Sequence, residues 1–125
     1  MYEKFGQFID GKWQASSNKE TYEVINPANE EVIGRASKAT PEDVDRALKS
    51  AEKGLEVWKK TSPWKRSSVI RKIADLIRAK QDVLAKWITL EVGKPFLEGK
   101  GEVGATADIF EWNAEETKRI YGQTV

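Results

Sequence analysis

The sequence predicts a mainly α protein in which two β-hairpins precede four helices. Three observations predict it. Apolar residues recur every three to four positions through most of the chain after Thr40. Two helix starts are written out, Thr40-Pro41-Glu42-Asp43 and Ser62-Pro63. Before them, short β-prone runs flank turn formers, most informatively at Ile25-Asn26-Pro27-Ala28-Asn29-Glu30-Glu31-Val32-Ile33-Gly34.

Gln7–Gln14 reads as the first hairpin. Phe8-Ile9 and Lys12-Trp13 flank Asp10-Gly11, a pair suited to a type I′ turn because both central positions need φ > 0. Ala15–Glu20 is polar and loop-like. The second hairpin joins Thr21–Ile25 to Val32–Arg35. Pro27 fixes its own φ and biases Asn26 toward extended geometry, and Asn29 can hydrogen-bond its own backbone. The hairpins thus occupy residues 6–35 and the helical region residues 41–122.

At the first helix Thr40 can cap, Pro41 suits the first helical position, and Glu42 and Asp43 meet the positive end of the dipole. Val44, Ala47, Leu48, Ala51, Leu55 and Trp58 share one face. Ser62-Pro63 opens the second helix, with Val69, Ile70, Ile73, Leu76 and Ile77 as its apolar stripe. The third starts near Asp82, turns Val83, Leu84, Trp87 and Ile88 inward, and stops at Gly93-Lys94-Pro95. The fourth spans Phe96–Tyr121 and is capped by Gly122. Val103, Ala107, Phe110, Ala114, Thr117 and Tyr121 recur about every 3.5 residues along it. Gly99, Gly101 and Gly104 oppose it, each costing ~1 kcal/mol relative to alanine, so close approach by another backbone is expected there. Gln123-Thr124-Val125 reads as the opening of an extended segment, and the expectation is a chain cut rather than finished.

Composition narrows the functions. The chain is 39% hydrophobic and 33% charged, a globular balance. No run approaches the ~18 apolar residues of a membrane span, and no apolar stretch like that of a signal peptide opens it, so a cytoplasmic protein without membrane contact is expected. It has no cysteine and no histidine, which removes thiolate nucleophiles, disulfides and the commonest general base. A net charge of +1 argues against nucleic-acid binding. Pro63–Lys80 is nevertheless basic and the region from Pro95 acidic, a pattern of solvated faces or of mutual pairing.

No constellation has catalytic geometry. Glu115 and Glu116 are adjacent, so on a helix their side chains point about 100° apart and read as a solvated face. Of the five tryptophans, Trp58 and Trp87 sit on apolar stripes and read as core. Gly99-Lys100-Gly101 lacks the preceding strand and full glycine pattern of a phosphate loop. Glu91 falls in the last turn of the third helix, where a negative charge is unfavourable. Lys94 or a metal ion would relieve it.

Phe8-Ile9-Asp10-Gly11-Lys12-Trp13, Asn26-Pro27-Ala28-Asn29-Glu30-Glu31-Val32-Ile33, the Pro41–Ala47 helix start, Trp58, Arg66, Ile73–Ile77, Leu90-Glu91-Val92-Gly93-Lys94-Pro95 and Tyr121-Gly122 together resemble the start of an aldehyde dehydrogenase. Phe110–Glu116 with Lys118–Gly122 is similar to the succinate-semialdehyde branch of that family. The resemblance implies the N-terminal part of an α/β cofactor domain without its parallel sheet. It implies NAD or NADP in the parent enzyme, none bound to this fragment, a homo-oligomeric parent, and covalent catalysis through a cysteine outside this sequence. Asn113 does not match the context of the family's oxyanion asparagine. A structural monovalent cation is carried over onto the Ile25 carbonyl and Glu91. With the sheet missing, self-association through exposed apolar helix faces is expected. The rival expectation is a free-standing helical interaction module without catalysis.

Overall fold

The computed structural model describes residues 6–122; Gln123-Thr124-Val125, expected to be extended, lie outside them. Among the described residues, four short strands are followed by four α-helices: β1 (Gln7–Ile9), β2 (Lys12–Gln14), β3 (Thr21–Ile25), β4 (Val32–Ser37), α1 (Pro41–Trp58), α2 (Pro63–Ala79), α3 (Gln81–Val92) and α4 (Phe96–Glu116). The strands form two separate antiparallel pairs, β1–β2 and β3–β4. The chain divides into two compact units. One runs to Lys59 and includes Leu90–Gly93; the other holds Lys60–Thr89 and the chain from Lys94.

In the first unit, Asp10 and Gly11 take φ of 55° and 74°, the left-handed pair expected of a type I′ turn. In the second hairpin, the Asn29 side-chain oxygen accepts from the Glu31 N–H at 3.2 Å and the Asn26 side-chain oxygen from the Ala28 N–H at 3.0 Å. Both close local turns around Pro27. Val24 pairs with Gly34 and Ile25 with Val32, so Ile33 is a bulge residue.

The α1 start does more than its local pattern says. Thr40 Oγ1 accepts from the Asp43 N–H, and the Asp43 carboxylate accepts from the Thr40 N–H, a reciprocal capping box. The same carboxylate accepts from the Ser17 N–H at 3.1 Å and from Gln7 Nε2 at 3.2 Å, and it pairs with Arg46. Asp43 is only 1% exposed. A buried charge is tolerable here because every lone-pair direction finds a donor. By contrast, the expected apolar face of α1 is uncovered: Val44, Leu48 and Leu55 are exposed, and so is Trp58, read from sequence as core.

The second unit is built on α2 against α4. Its buried apolar residues are small, namely Ala74, Ala85, Ala107 and Ala114 with Val103. Small side chains let helix axes approach closely, at the short end of the usual interaxial range. The expected α4 face is borne out at Val103, Ala107, Ala114 and Thr117, whereas Tyr121 is exposed. The α-helix ends at Glu116, tightens into a 3₁₀ turn over Thr117–Arg119, and is not capped by Gly122, which has no positive φ. On α2 the covered face is Ser67, Ile70, Ala74 and Ile77, while Val69, Ile73 and Leu76 of the expected stripe are exposed. Val83 on α3 is likewise exposed, and the buried residue of that helix is Ala85, about 200° round from it.

The basic and acidic segments pair. Arg71 donates to Glu111 at 2.7 Å and also binds Glu115. Arg78 bridges Asp108 and Glu111 at 2.8 and 2.6 Å. Glu115 and Glu116 therefore do not read as a bare solvated face; Glu115 also meets Lys118, and Glu116 meets Arg119.

The three α4 glycines differ. A Cβ on Gly99 would lie 3.1 Å from the Ala85 carbonyl oxygen, the expected close backbone approach of α3. At Gly104 it would meet only the Gln81 side-chain nitrogen, and at Gly101 nothing within 4 Å. Gly101→Ala should therefore stabilise the chain by about 0.5–1 kcal/mol through helix propensity alone. Gly99→Ala should gain nothing, because the contact with Ala85 offsets the same gain. Urea denaturation of the two variants checks this; equal gains would contradict it.

Candidate functional site

Ile25 and Glu91, the one pair of site residues that the resemblance implies, both lie within the first unit. β3 ends at Ile25 beside the bulge, and α3 delivers Glu91 one residue before its own end at Val92. Gly93 then takes φ +77°, which a residue with a side chain would adopt only under strain. A Cβ there would also approach Pro27 Cγ to 3.1 Å. Gly93 thus seats the end of α3 against the Asn-Pro turn, two residues from both Ile25 and Glu91. The sequence pattern marked Gly93 as a helix stop and Pro27 as a turn former, and missed that they touch; nothing in spacing alone could have paired them.

A backbone carbonyl and a carboxylate are oxygen ligands of the kind that hard cations take. They fall short of a full oxygen shell, and among the described residues no three metal-ligating side chains cluster. Lys94 follows the stop at Gly93. Its ammonium binds Glu102 on α4, chiefly through a hydrogen bond that raises its pKa above the usual lysine value.

The described residues contain only two-stranded antiparallel sheets, without the parallel βαβ unit of a dinucleotide fold. Gly99-Lys100-Gly101 lies inside α4, where the helix's own bonds occupy its N–H groups. Asn113 donates from its side chain to the Ile109 carbonyl at 2.8 Å, a local helical contact rather than an oxyanion donor. Among the described residues, no helix is long and apolar enough to cross a membrane.

The chain is similar to known proteins. The glutarate-semialdehyde dehydrogenase of Pseudomonas putida is 42% identical over 94% of this chain, and the succinate-semialdehyde dehydrogenase of Escherichia coli is 38% identical over 94%. The match covers only 25% and 24% of those two proteins, so the chain spans about a quarter of their length. The crystal structure of betaine aldehyde dehydrogenase from Staphylococcus aureus, solved with NAD+, superposes with a TM-score of 0.92 at 33% identity, covering 98% of this chain and 25% of that one. Succinate-semialdehyde dehydrogenase from Burkholderia pseudomallei also gives 0.92, at 36% identity, covering 97% and 25%. The profile of the aldehyde dehydrogenase family matches residues 13–125, and the chain belongs to that family.

Proposed function

We propose that this chain is the N-terminal part of an NAD(P)-dependent dehydrogenase that oxidises a semialdehyde bearing a remote carboxylate, and that residues 1–125 alone do not catalyse the reaction. The observation that carries the reading is the pair of semialdehyde dehydrogenases at 42% and 38% identity, each matched over about a quarter of its length. The lack of cysteine and histidine supports the second half, because covalent aldehyde oxidation needs a nucleophile that the chain does not contain. The exposed apolar faces of α1 and α2 support a role as an outer layer against further chain, and alone they promote self-association. Within the whole enzyme, the Ile25 carbonyl and Glu91 supply two oxygens to a monovalent cation, a role supported by the Gly93–Pro27 contact.

The test compares the 125-residue chain with the product of the full reading frame. The full product should reduce NAD or NADP with succinate or glutarate semialdehyde, and more efficiently than with betaine aldehyde. The 125-residue chain should reduce neither and should grow in mass with concentration by light scattering. Turnover by the short chain, or a betaine-aldehyde preference of the long one, would overturn the reading. A frame that stops after Val125 would favour the interaction module instead.

A further inference from the structure

Within the first unit, the β1–β2 hairpin and α1 line a cavity of about 320 Å³. Its cationic wall is Lys12 from β2 and Arg46, Lys49 and Lys53 from α1. The helical members stand at i, i+3 and i+7, so they form one stripe. That stripe is separate from Val44, Leu48 and Leu55. α1 therefore turns its basic side, not its apolar side, to the cavity.

The charge there is unbalanced. Arg46 is tied to Asp43 and to Gln14 Oε1. Asp10, the one acidic group of the lining, accepts from the Ser50 hydroxyl at 3.4 Å. Lys12, Lys49 and Lys53 have no ion pair among the described residues. Three lysine side chains without an ion pair thus line one concave space, together with the buried Ile9. A concave wall of one sign concentrates counter-ions, and lysine binds phosphate as a point charge. The volume lies at the small end of ligand pockets.

We propose that this cavity binds a small multivalent oxyanion, a phosphate ester or a polycarboxylate. Lys49 and Lys53 hold it from the helix and Lys12 from the hairpin. The site is independent of the aldehyde chemistry proposed above.

Titrating the 125-residue chain with pyrophosphate, citrate and acetate at constant ionic strength tests it. Calorimetry reads affinity and two-dimensional amide NMR reads location. Pyrophosphate or citrate should saturate a single site, with shifts confined to residues 9–14 and 46–53, and acetate should not. K49A/K53A should weaken binding about tenfold or more, and K49R/K53R should restore most of it, since two of the lining charges are removed and then returned. Alanine and arginine are both strong helix formers, so α1 is kept, which circular dichroism verifies. Pyrophosphate favoured about tenfold or more over citrate assigns a phosphate ligand; equal binding of the two assigns a general oxyanion site. Shifts that follow ionic strength alone, that spread to Lys59, Lys60 and Lys72, or that persist unchanged in K49A/K53A would overturn the proposal.

Discussion

Replacing Asp43 with alanine should lower the melting temperature of the chain by on the order of 10 °C, more than loss of a simple cap would. The carboxylate serves the Thr40 N–H, the Ser17 N–H, Gln7 Nε2 and Arg46 at once. Truncation strands those donors in a site that is closed to water. Asp43→Asn keeps one acceptor and should recover part of the loss. Thermal denaturation by circular dichroism measures both; a melting temperature within a degree or two of the parent for Asp43→Ala would contradict the hub.

The same residue sets a pH dependence. Its carboxyl is held well below the ordinary aspartate range, chiefly by the Thr40 N–H, with burial opposing and the Ser17, Arg46 and Gln7 donors reinforcing. A pKa depressed by folding contributes stability that is fully present above the unfolded value near pH 4 and is lost as pH falls toward the lower folded value. Melting temperature should therefore fall below about pH 4, and Asp43→Asn should flatten that part of the curve.

The second large effect is expected at Ala107. It is 0% exposed on the α4 face packed against α2, as are Ala114 on the same helix and Ala74 on α2. Ala107→Leu forces added methylenes into a contact built for small side chains and should cost about 1–3 kcal/mol. Moving the helices apart would also disturb the exposed pairs of Arg71 and Arg78 with Glu111, Glu115 and Asp108, a smaller effect. Ile109→Ala, on the exposed side of α4, should change stability little and is the control. Urea midpoints that shift equally for the two variants would show that the α2–α4 contact is looser than described.

Much of this was legible in the residues. Asp10-Gly11 demanded two left-handed positions and has them. Thr40-Pro41 and Ser62-Pro63 start helices because a capping oxygen and a preset φ are local effects. The inward face of α4 followed from its period, and the motif ensemble led to the aldehyde dehydrogenase family. The errors share one cause. Periodicity says which residues share a face but not whether anything covers it: Val44, Leu48, Val69, Ile73 and Leu76 lie on the expected stripes and stand exposed, and Val83 and Trp58, which the pattern turns inward, stand exposed as well. Read as a bare stop, Gly122 could not reveal that α4 tightens at Thr117, where the threonine hydroxyl donates to the Asn113 carbonyl at 2.7 Å.

The sequence by itself determined where elements begin, turn and stop, and which family they belong to, because capping, φ restriction and spacing act over a few residues. Only the tertiary structure decided that Asp43 gathers donors from as far as Gln7, that Gly93 rests on Pro27, and that α1 turns lysines toward the hairpin. Those are contacts across long stretches of chain, and they exist only once packing has brought the segments together.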